Sequence, residues 1–268
     1  MSKKIIALVL AVLTVVMCFG FAGCGKSGSD LDYIKEKGTL VIGYTEFAPM
    51  NYLDDEGNLV GFETEFAKAV CKELGVEPKF QLINWDAKET ELNAKTIDCI
   101  WNGMTITPER QETMSVSTAY MANKQVLLVK AENADKYLKA EDLKGAKIVA
   151  EKESAGEEVA QKNEFFAQAD YTAVDLQSKA LMEVKSGVAD GCVVDYVLSI
   201  GMIGEGTDYE DLVVVDELAF NDEQYGIAFR KGSDTTAAVN AAITKLVESG
   251  ELNKIAANYK LSEQIIAK

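Results

Sequence analysis

The sequence predicts an α/β protein built of two similar lobes, each with a mostly parallel sheet and flanking helices. Three observations indicate this class. Short apolar segments alternate with amphipathic helical segments along most of the chain, as in βαβ units. The same order of segments returns in the second half. The chain has 268 residues, of which 48% are hydrophobic, so each of two lobes can bury its own core.

The first half supplies the elements of one lobe. Residues 39–44 (TLVIGY) form an apolar run typical of a strand. The segment 61–75 then has an amphipathic helical pattern, and Gly75 is the expected stop. A further strand, helix and strand are predicted at residues 78–83, 86–95 and 97–101.

The second half repeats this order. Strands are predicted at residues 145–151, 171–176 and 189–195, and helices at 154–162 and 178–187. When ELNAKTIDCIWNG is aligned with EVKSGVADGCVVD, the helix–turn–strand pattern agrees throughout and Gly103 falls opposite Asp195. Ligands of such sheets bind at the carboxyl ends of strands, so these two residues are expected to face each other across a cleft. A helix pair broken at Gly250 ends the chain and is free to pack on the first lobe.

The N-terminus is typical of a bacterial secretion signal. A basic start (MSKK) precedes an apolar stretch, and FAGC places small residues immediately before Cys24. This ending resembles a lipobox, which implies a signal peptide at residues 1–23 and a lipidated Cys24 followed by a linker to residue 30. An uncleaved membrane anchor is the alternative. Both interpretations place the rest of the chain outside the cytoplasm, tethered to a membrane.

Charge and composition exclude several functions. The chain has 27 basic and 43 acidic residues, a net charge of −16, so it would repel the phosphates of nucleic acids. Histidine is absent, which removes Ser-His-Asp and Cys-His catalysis and the usual zinc sites. Cys71, Cys99 and Cys192 are far apart in apolar segments and are expected to be buried free thiols. We therefore expect no catalytic residue, metal or cofactor.

The segment NGMTITPER places an arginine at an unusual position. Thr107 suits a helix N-cap and Pro108 the first helical position. Arg110 then lies in the first turn, where the helix dipole is unfavourable to a cation by about 0.3–1 kcal/mol. An arginine there indicates an anion to bind. A surface arginine paired with Glu109 or Glu112 is the alternative.

With these segments in place, the chain resembles the extracellular solute-binding proteins, family 3, of bacterial amino-acid ABC importers. The likeness covers essentially the whole mature chain. It rests on the segments LVIGYTEFAPMNYLDDEGNLVGFETEFAKAV, NGMTITPER, LKGAKIVAEKESAGEE, SGVADGCVVD and LVESGELNKIAANY. It implies a two-lobed, periplasmic-binding-protein-like (type II) fold with crossing strands near residues 123–127 and 220–225. Lobe 1 would comprise residues 31–123 and 222–268, and lobe 2 residues 124–221.

The resemblance also implies a function. A monomeric, non-enzymatic receptor would close around one free amino acid and deliver it to an ABC permease. Two alternatives remain: a periplasmic dehydratase of cyclohexadienyl acids on the same scaffold, and a ligand sensor acting in trans.

Site residues follow from the same resemblance. Arg110 would bind the α-carboxylate through two parallel hydrogen bonds, helped by backbone N–H groups at Ser154 and Ala155. Asp195 would bind the ammonium, with the Gly103 carbonyl and the Thr105 hydroxyl. The ligand side chain would lie between the aromatic rings of Phe47 and Trp85. Further candidates for contact with the ligand are Asn102 and, more weakly, Glu46, Tyr44 and Trp101.

The residues alone leave simpler interpretations open. Ser154 and Glu157 have the spacing of a capping box, Asp195 suits a turn or a cap, and the aromatic residues suit a core. The chain also departs from the family where Glu153 replaces a common glycine and Trp101 a common aliphatic residue. Carboxylates at Glu46 and Glu153 would disfavour an acidic ligand, so we expect a neutral polar or cationic amino acid, cystine included.

Overall fold

The structure is a computed structural model that describes residues 28–268, apart from the side chains of Asp216 and Glu217. The predicted signal peptide, Cys24 and the first part of the linker lie outside the described residues. From residue 28 onward, no helix is long and apolar enough to cross a membrane.

The elements alternate as the sequence predicts. The strands are β1 (Thr39–Tyr44), β2 (Tyr52–Leu53), β3 (Leu59–Val60), β4 (Glu77–Leu82), β5 (Cys99–Ile100), β6 (Met114–Val116), β7 (Met121–Lys130), β8 (Lys147–Glu151), β9 (Asp170–Val174), β10 (Gly191–Asp195), β11 (Leu212–Tyr225) and β12 (Ala228–Arg230). The α-helices are α1 (Asp30–Lys37), α2 (Phe62–Leu74), α3 (Lys88–Asn93), α4 (Pro108–Thr113), α5 (Ala155–Lys162), α6 (Gln177–Ser186), α7 (Tyr196–Met202), α8 (Thr235–Glu248) and α9 (Glu251–Asn258).

Two five-stranded sheets carry the two lobes. The first has the order β4-β1-β5-β12-β6 and the second the order β9-β8-β10-β7-β11. In each sheet the first three strands are parallel and the fourth is antiparallel to its neighbours. The predicted architecture of two like lobes with mostly parallel sheets is confirmed.

The repeated sequence pattern has a structural counterpart in two aspartates. The Asp98 N–H donates to the Val41 carbonyl (2.7 Å), and the Asp98 carboxylate accepts from the Val41 N–H (2.8 Å). Asp190 makes the same pair of bonds with the N–H (2.9 Å) and carbonyl (2.8 Å) of Lys147. Asp98 thus fixes the register between β1 and β5, and Asp190 fixes the register between β8 and β10. This shared role explains why both aspartates occur at the same place in the repeat.

The strands β7 and β11 join the lobes. They pair antiparallel from Met121 opposite Tyr225 to Lys130 opposite Leu212. At the end near the first lobe, the Tyr120 N–H donates to the Tyr225 carbonyl (3.0 Å). The lobe boundaries predicted at residues 123/124 and 221/222 lie within these strands and stay predictions. The C-terminal helices α8 and α9 pack on α2, so the end of the chain returns to the first lobe.

The first lobe has an aromatic core. Trp101 is fully buried and packs edge-on against Phe66, with 5.1 Å between ring centroids. It therefore fills the core of the first lobe, although the sequence suggested Trp101 as a weaker candidate for contact with the ligand side chain. Cys71, Cys99 and Cys192 are buried and free, as predicted.

Candidate ligand-binding site

A small cavity lies between the lobes. The first lobe lines it with Phe47, Trp85, Asn102, Gly103, Thr105 and Arg110, and the second with Glu151, Ser154, Ala155, Gln177 and Asp195. Nine of the twelve candidate ligand-binding residues therefore line one cavity, although their contacts with a ligand stay a prediction. Gly103 and Asp195 both line it, on opposite lobes, as the internal alignment predicts.

Three of the predicted residues do not line the cavity, and one of them is the core residue Trp101. Tyr44 is half-buried and packs edge-on against Phe80 (6.2 Å between ring centroids), while Glu46 is exposed to solvent. Glu151 and Gln177 line the cavity and were not predicted. Glu151 ends an apolar strand just as Asp195 does, so the same sequence signal was available for it.

Arg110 is held at the cleft by backbone carbonyls. Its N–H is capped by the Thr107 hydroxyl (3.2 Å), and its Nη1 donates to the Thr105 carbonyl (2.8 Å). Its Nη2 reaches the Glu153 carbonyl of the other lobe (3.4 Å). Within residues 28–268, leaving aside two side chains, no carboxylate lies within 4 Å of the guanidinium, so the predicted alternative of a surface ion pair is wrong. Burial lowers the pKa of Arg110, and several of its five N–H donors remain for an anion.

Asp195 is buried at the end of β10, with 6% of its surface exposed. Its carboxylate accepts from the side-chain amides of Asn123 (2.5 Å), Gln125 (2.8 Å) and Gln177. Although it precedes α7, its side chain makes no capping hydrogen bond. Burial raises the pKa of Asp195, and these amides and the Tyr225 hydroxyl oppose the rise.

A second buried carboxylate shares two of these donors. The amides of Asn123 and Gln125 also donate to Glu223 (3.1 and 3.0 Å), which accepts in addition from the Thr105 hydroxyl (3.1 Å). Burial and the nearby Asp195 charge raise the pKa of Glu223 to about 7. Because Glu223 lies on β11 and both amides on β7, the Asp195 carboxylate is connected to the crossing strands and to the first lobe.

Gly103 is fixed by a buried acid behind it. Its N–H lies 3.0 Å from both carboxylate oxygens of Glu63, which also accepts from the Tyr120 hydroxyl. Burial raises the pKa of Glu63 to about 7. Gly103 has φ +57°, and a Cβ there would lie 2.5 Å from the Phe47 ring, so only glycine fits.

The start of α5 faces the cavity from the second lobe. The Ser154 hydroxyl accepts from the Glu157 N–H (3.1 Å), as a cap does, while the Glu157 carboxylate accepts from the Glu153 N–H (2.6 Å). Glu153 has φ +57°, a left-handed conformation that favours glycine. Its side chain is exposed, so Glu153 contributes a backbone carbonyl to the cleft rather than a carboxylate.

The cleft is closed by contacts between the lobes. Lys152 pairs with Asp86 at 2.8 Å. The Lys88 ammonium donates to the carbonyls of Trp85 (3.1 Å) and Glu153 (3.2 Å) and lies 4.8 Å from the Trp85 ring centroid. Burial and the Arg110 charge lower the pKa of Lys88 to about 8. The structure is thus a closed form with a small, polar enclosed site.

Several known proteins are similar to this chain in sequence and in fold. The chain is 31% identical over 255 residues to the L-cystine-binding protein TcyJ of Escherichia coli (strain K12), covering 93% of each chain. It is 30% identical over 271 residues to the arginine-binding extracellular protein ArtP of Bacillus subtilis (98% and 100% covered). The structure matches the ancestral amino acid-binding protein AncCDT-1, a precursor of cyclohexadienyl dehydratase, with a TM-score of 0.78 and 33% identity (86% and 99% covered).

These likenesses confirm the predicted type II binding-protein fold. The model of the bacterial extracellular solute-binding proteins, family 3, matches residues 40–262, which is most of the chain. The predicted family is therefore correct: this chain belongs to the bacterial extracellular solute-binding proteins of family 3.

Proposed function

We propose that the protein is the extracytoplasmic receptor of an amino-acid ABC importer, which closes around one free amino acid and delivers it to a membrane permease. One observation carries this proposal: Arg110 from one lobe and Asp195 from the other line the same closed cavity. An amino acid is a zwitterion and needs an anion site and a cation site a few ångströms apart.

Each lobe has a separate part in this proposal. The Arg110 guanidinium binds the α-carboxylate in a planar, two-bond geometry that lysine cannot reproduce. The Ser154 N–H donates to the Glu151 carbonyl (3.2 Å), which leaves the Ala155 N–H at the start of α5 to support the same carboxylate. Asp195 binds the ammonium, together with the Thr105 hydroxyl and the Gly103 carbonyl. Since these groups meet only when the lobes close, the ligand favours the closed form.

Relatives with printed ligands support the amino-acid class. TcyJ is a cystine-binding protein and ArtP an arginine-binding protein, and both align along nearly the whole chain. The protein is proposed to be a binding protein and not an enzyme, since no histidine is present in the sequence and no residue of the cavity requires chemistry.

The N-terminus supports membrane attachment. We propose that residues 1–23 are removed and that Cys24 carries the lipid anchor of a monomeric receptor. The full-length Cys24→Ser variant, expressed in a bacterium, should leave the membrane fraction or retain its signal peptide. A membrane-bound, correctly shortened variant would contradict the lipid anchor.

A thermal-shift screen of the purified protein against the twenty amino acids and cystine tests the function. A ligand at 100 times its Kd adds about 2.7 kcal/mol to the free energy of unfolding, or about 5–10 °C in Tm for a chain of this size. Isothermal titration should then give one site. If no amino acid stabilises the protein, or if a cyclohexadienyl acid is turned over, the proposal fails.

A further inference from the structure

One cavity residue has no role in holding a zwitterion. Glu151 lies at the carboxyl end of β8, is 4% exposed and lines the cavity beside Gln177 and Asp195. No lysine or arginine nitrogen among residues 28–268 comes within 4 Å of its carboxylate. It is therefore a buried acid without an ion pair, directed at the ligand space.

The other charges that line the cavity leave Glu151 without a partner when a zwitterion binds. Arg110 and Asp195 are matched by the two ends of a zwitterion, which leaves the Glu151 charge uncompensated. A buried charge that lacks a partner tends to become neutral instead. Accordingly, burial and the Asp195 charge raise the pKa of Glu151 to about 8, while Lys88 and the Gln177 amide oppose the rise. Among the residues that line the cavity, Glu151 thus remains to pair with one further positive charge.

We infer that Glu151 receives a second positive charge of the ligand, beyond its α-ammonium, so that the site selects a cationic amino acid or the far ammonium of cystine over a neutral amino acid. The inference rests on the proposed function. The Trp85 ring, which also lines the cavity, offers a face for the stem of such a side chain. Among the described residues, the cation whose charge acts on Glu151 is Lys88, and its ammonium is already held by two carbonyls.

L-Arginine and L-citrulline are a suitable pair of probes, because they have nearly the same shape and differ by one positive charge. Isothermal titration of the wild-type protein should show arginine binding at least about tenfold more tightly than citrulline. Glu151→Gln keeps the size and removes the charge, so it should lower arginine affinity about 10- to 100-fold and change citrulline affinity little. Cystine is the third probe, and if it is the ligand, its binding should fall in the same variant.

Proton release on ligand binding distinguishes recognition of the ligand charge by Glu151 from a purely structural role. A cationic ligand should displace the proton of Glu151 at pH 7.5, so the heat of arginine binding should depend on the ionisation heat of the buffer. Citrulline should show less proton release, and the difference between the two ligands should be clearly smaller in Glu151→Gln. Glu223 and Lys88 also have shifted pKa values near the site, so the difference that remains in Glu151→Gln measures their response and is subtracted.

Glu158→Gln is the matched control, because it removes the same charge from a half-exposed residue at the rim of the cleft. It should affect arginine affinity several-fold less than Glu151→Gln. Equal affinity of the wild-type protein for arginine and citrulline, with no binding of cystine, would overturn the inference while leaving an amino-acid receptor. Equal losses for arginine and citrulline in Glu151→Gln would also overturn it. Failure of every amino acid to bind would instead refute the proposed function.

Discussion

Replacing Asp195 by asparagine keeps the size of the side chain and removes the charge proposed to bind the ligand ammonium. Asp195 is 6% exposed, and three side-chain amides already occupy most of its acceptor sites. In the variant, the ligand ammonium would be enclosed in the closed cleft without its anion. Loss of one partner of such a buried pair costs about 2–5 kcal/mol, which corresponds to about a 30-fold to several-thousand-fold rise in Kd.

Isothermal titration with the amino acid found in the screen measures this change. The same substitution at Asp135, an exposed residue of the second lobe, is the control and should leave Kd unchanged. Because Asp195→Asn also alters a buried amide cluster, the Tm of the ligand-free variant must be recorded. Removing a desolvated charge should partly offset the altered hydrogen bonds, so a folded variant is expected.

A folded Asp195→Asn protein that binds within about threefold of the wild type would refute the reasoning, since this change is under 1 kcal/mol. In that case Asp195 would be a structural acid that positions β7 and β10, and the ammonium site would have to be sought among the other carboxylates of the cavity. The equivalent loss in Asp135→Asn would point to a general effect of charge instead.

Three further predictions follow from the same contacts. Arg110→Lys should raise Kd by more than about tenfold, because lysine cannot form the two parallel bonds to a carboxylate; titration showing near-native binding would contradict this role. Lys152→Ala removes an exposed inter-lobe pair with Asp86, worth about 0–1 kcal/mol, so stopped-flow measurements should show ligand dissociation only up to about fivefold faster. Because the pKa values of Glu151 and Glu223 are raised, the folded protein keeps protons that the unfolded chain releases near pH 4.5. The stability that these two protonated acids contribute is full below that pH and is lost as the pH rises through 7–8. The Tm of the ligand-free protein should therefore fall from pH 5 to pH 8, and less so in Glu151→Gln, whereas a rising Tm would contradict these shifts.

Much of the fold is readable from local sequence. The apolar run at β1 has the predicted bounds, and Gly75 ends α2 in a left-handed conformation (φ +73°) because it has no Cβ to clash. The match between Asp98 and Asp190 also reflects a local device, since each bonds to the neighbouring strand of its own lobe. Such features depend on short stretches of chain, so their patterns survive in the sequence.

The site was harder to predict in detail. The direction in which the chain turns after β1 decides which residues face the cavity. The alternation of a strand predicts side-chain directions only as far as Tyr44, where β1 ends. The Phe47 N–H bonds back to the Asn51 carbonyl (2.8 Å), which turns Phe47 inward and leaves Glu46 exposed. Glu223 meets Asn123 across 100 residues of chain, a contact that no local pattern indicates.

The buried carboxylates give a physical reason why closure should need the ligand. In the closed form, Asp195, Glu223 and Glu151 are all removed from water. The charge of Asp195 raises the pKa of both glutamates, and Asp195 shares side-chain amide donors with each of them. Closing the empty cleft therefore carries a desolvation cost that an arriving ammonium lowers. Shifting a population from 1:99 to 99:1 takes about 5.5 kcal/mol of differential binding, and one ammonium–carboxylate pair at about 2–5 kcal/mol supplies much of it. The acids that select the ligand would then also set the open state of the empty receptor, so a neutral substitution at Glu151 should favour closure without ligand while it weakens the preference for a second positive charge.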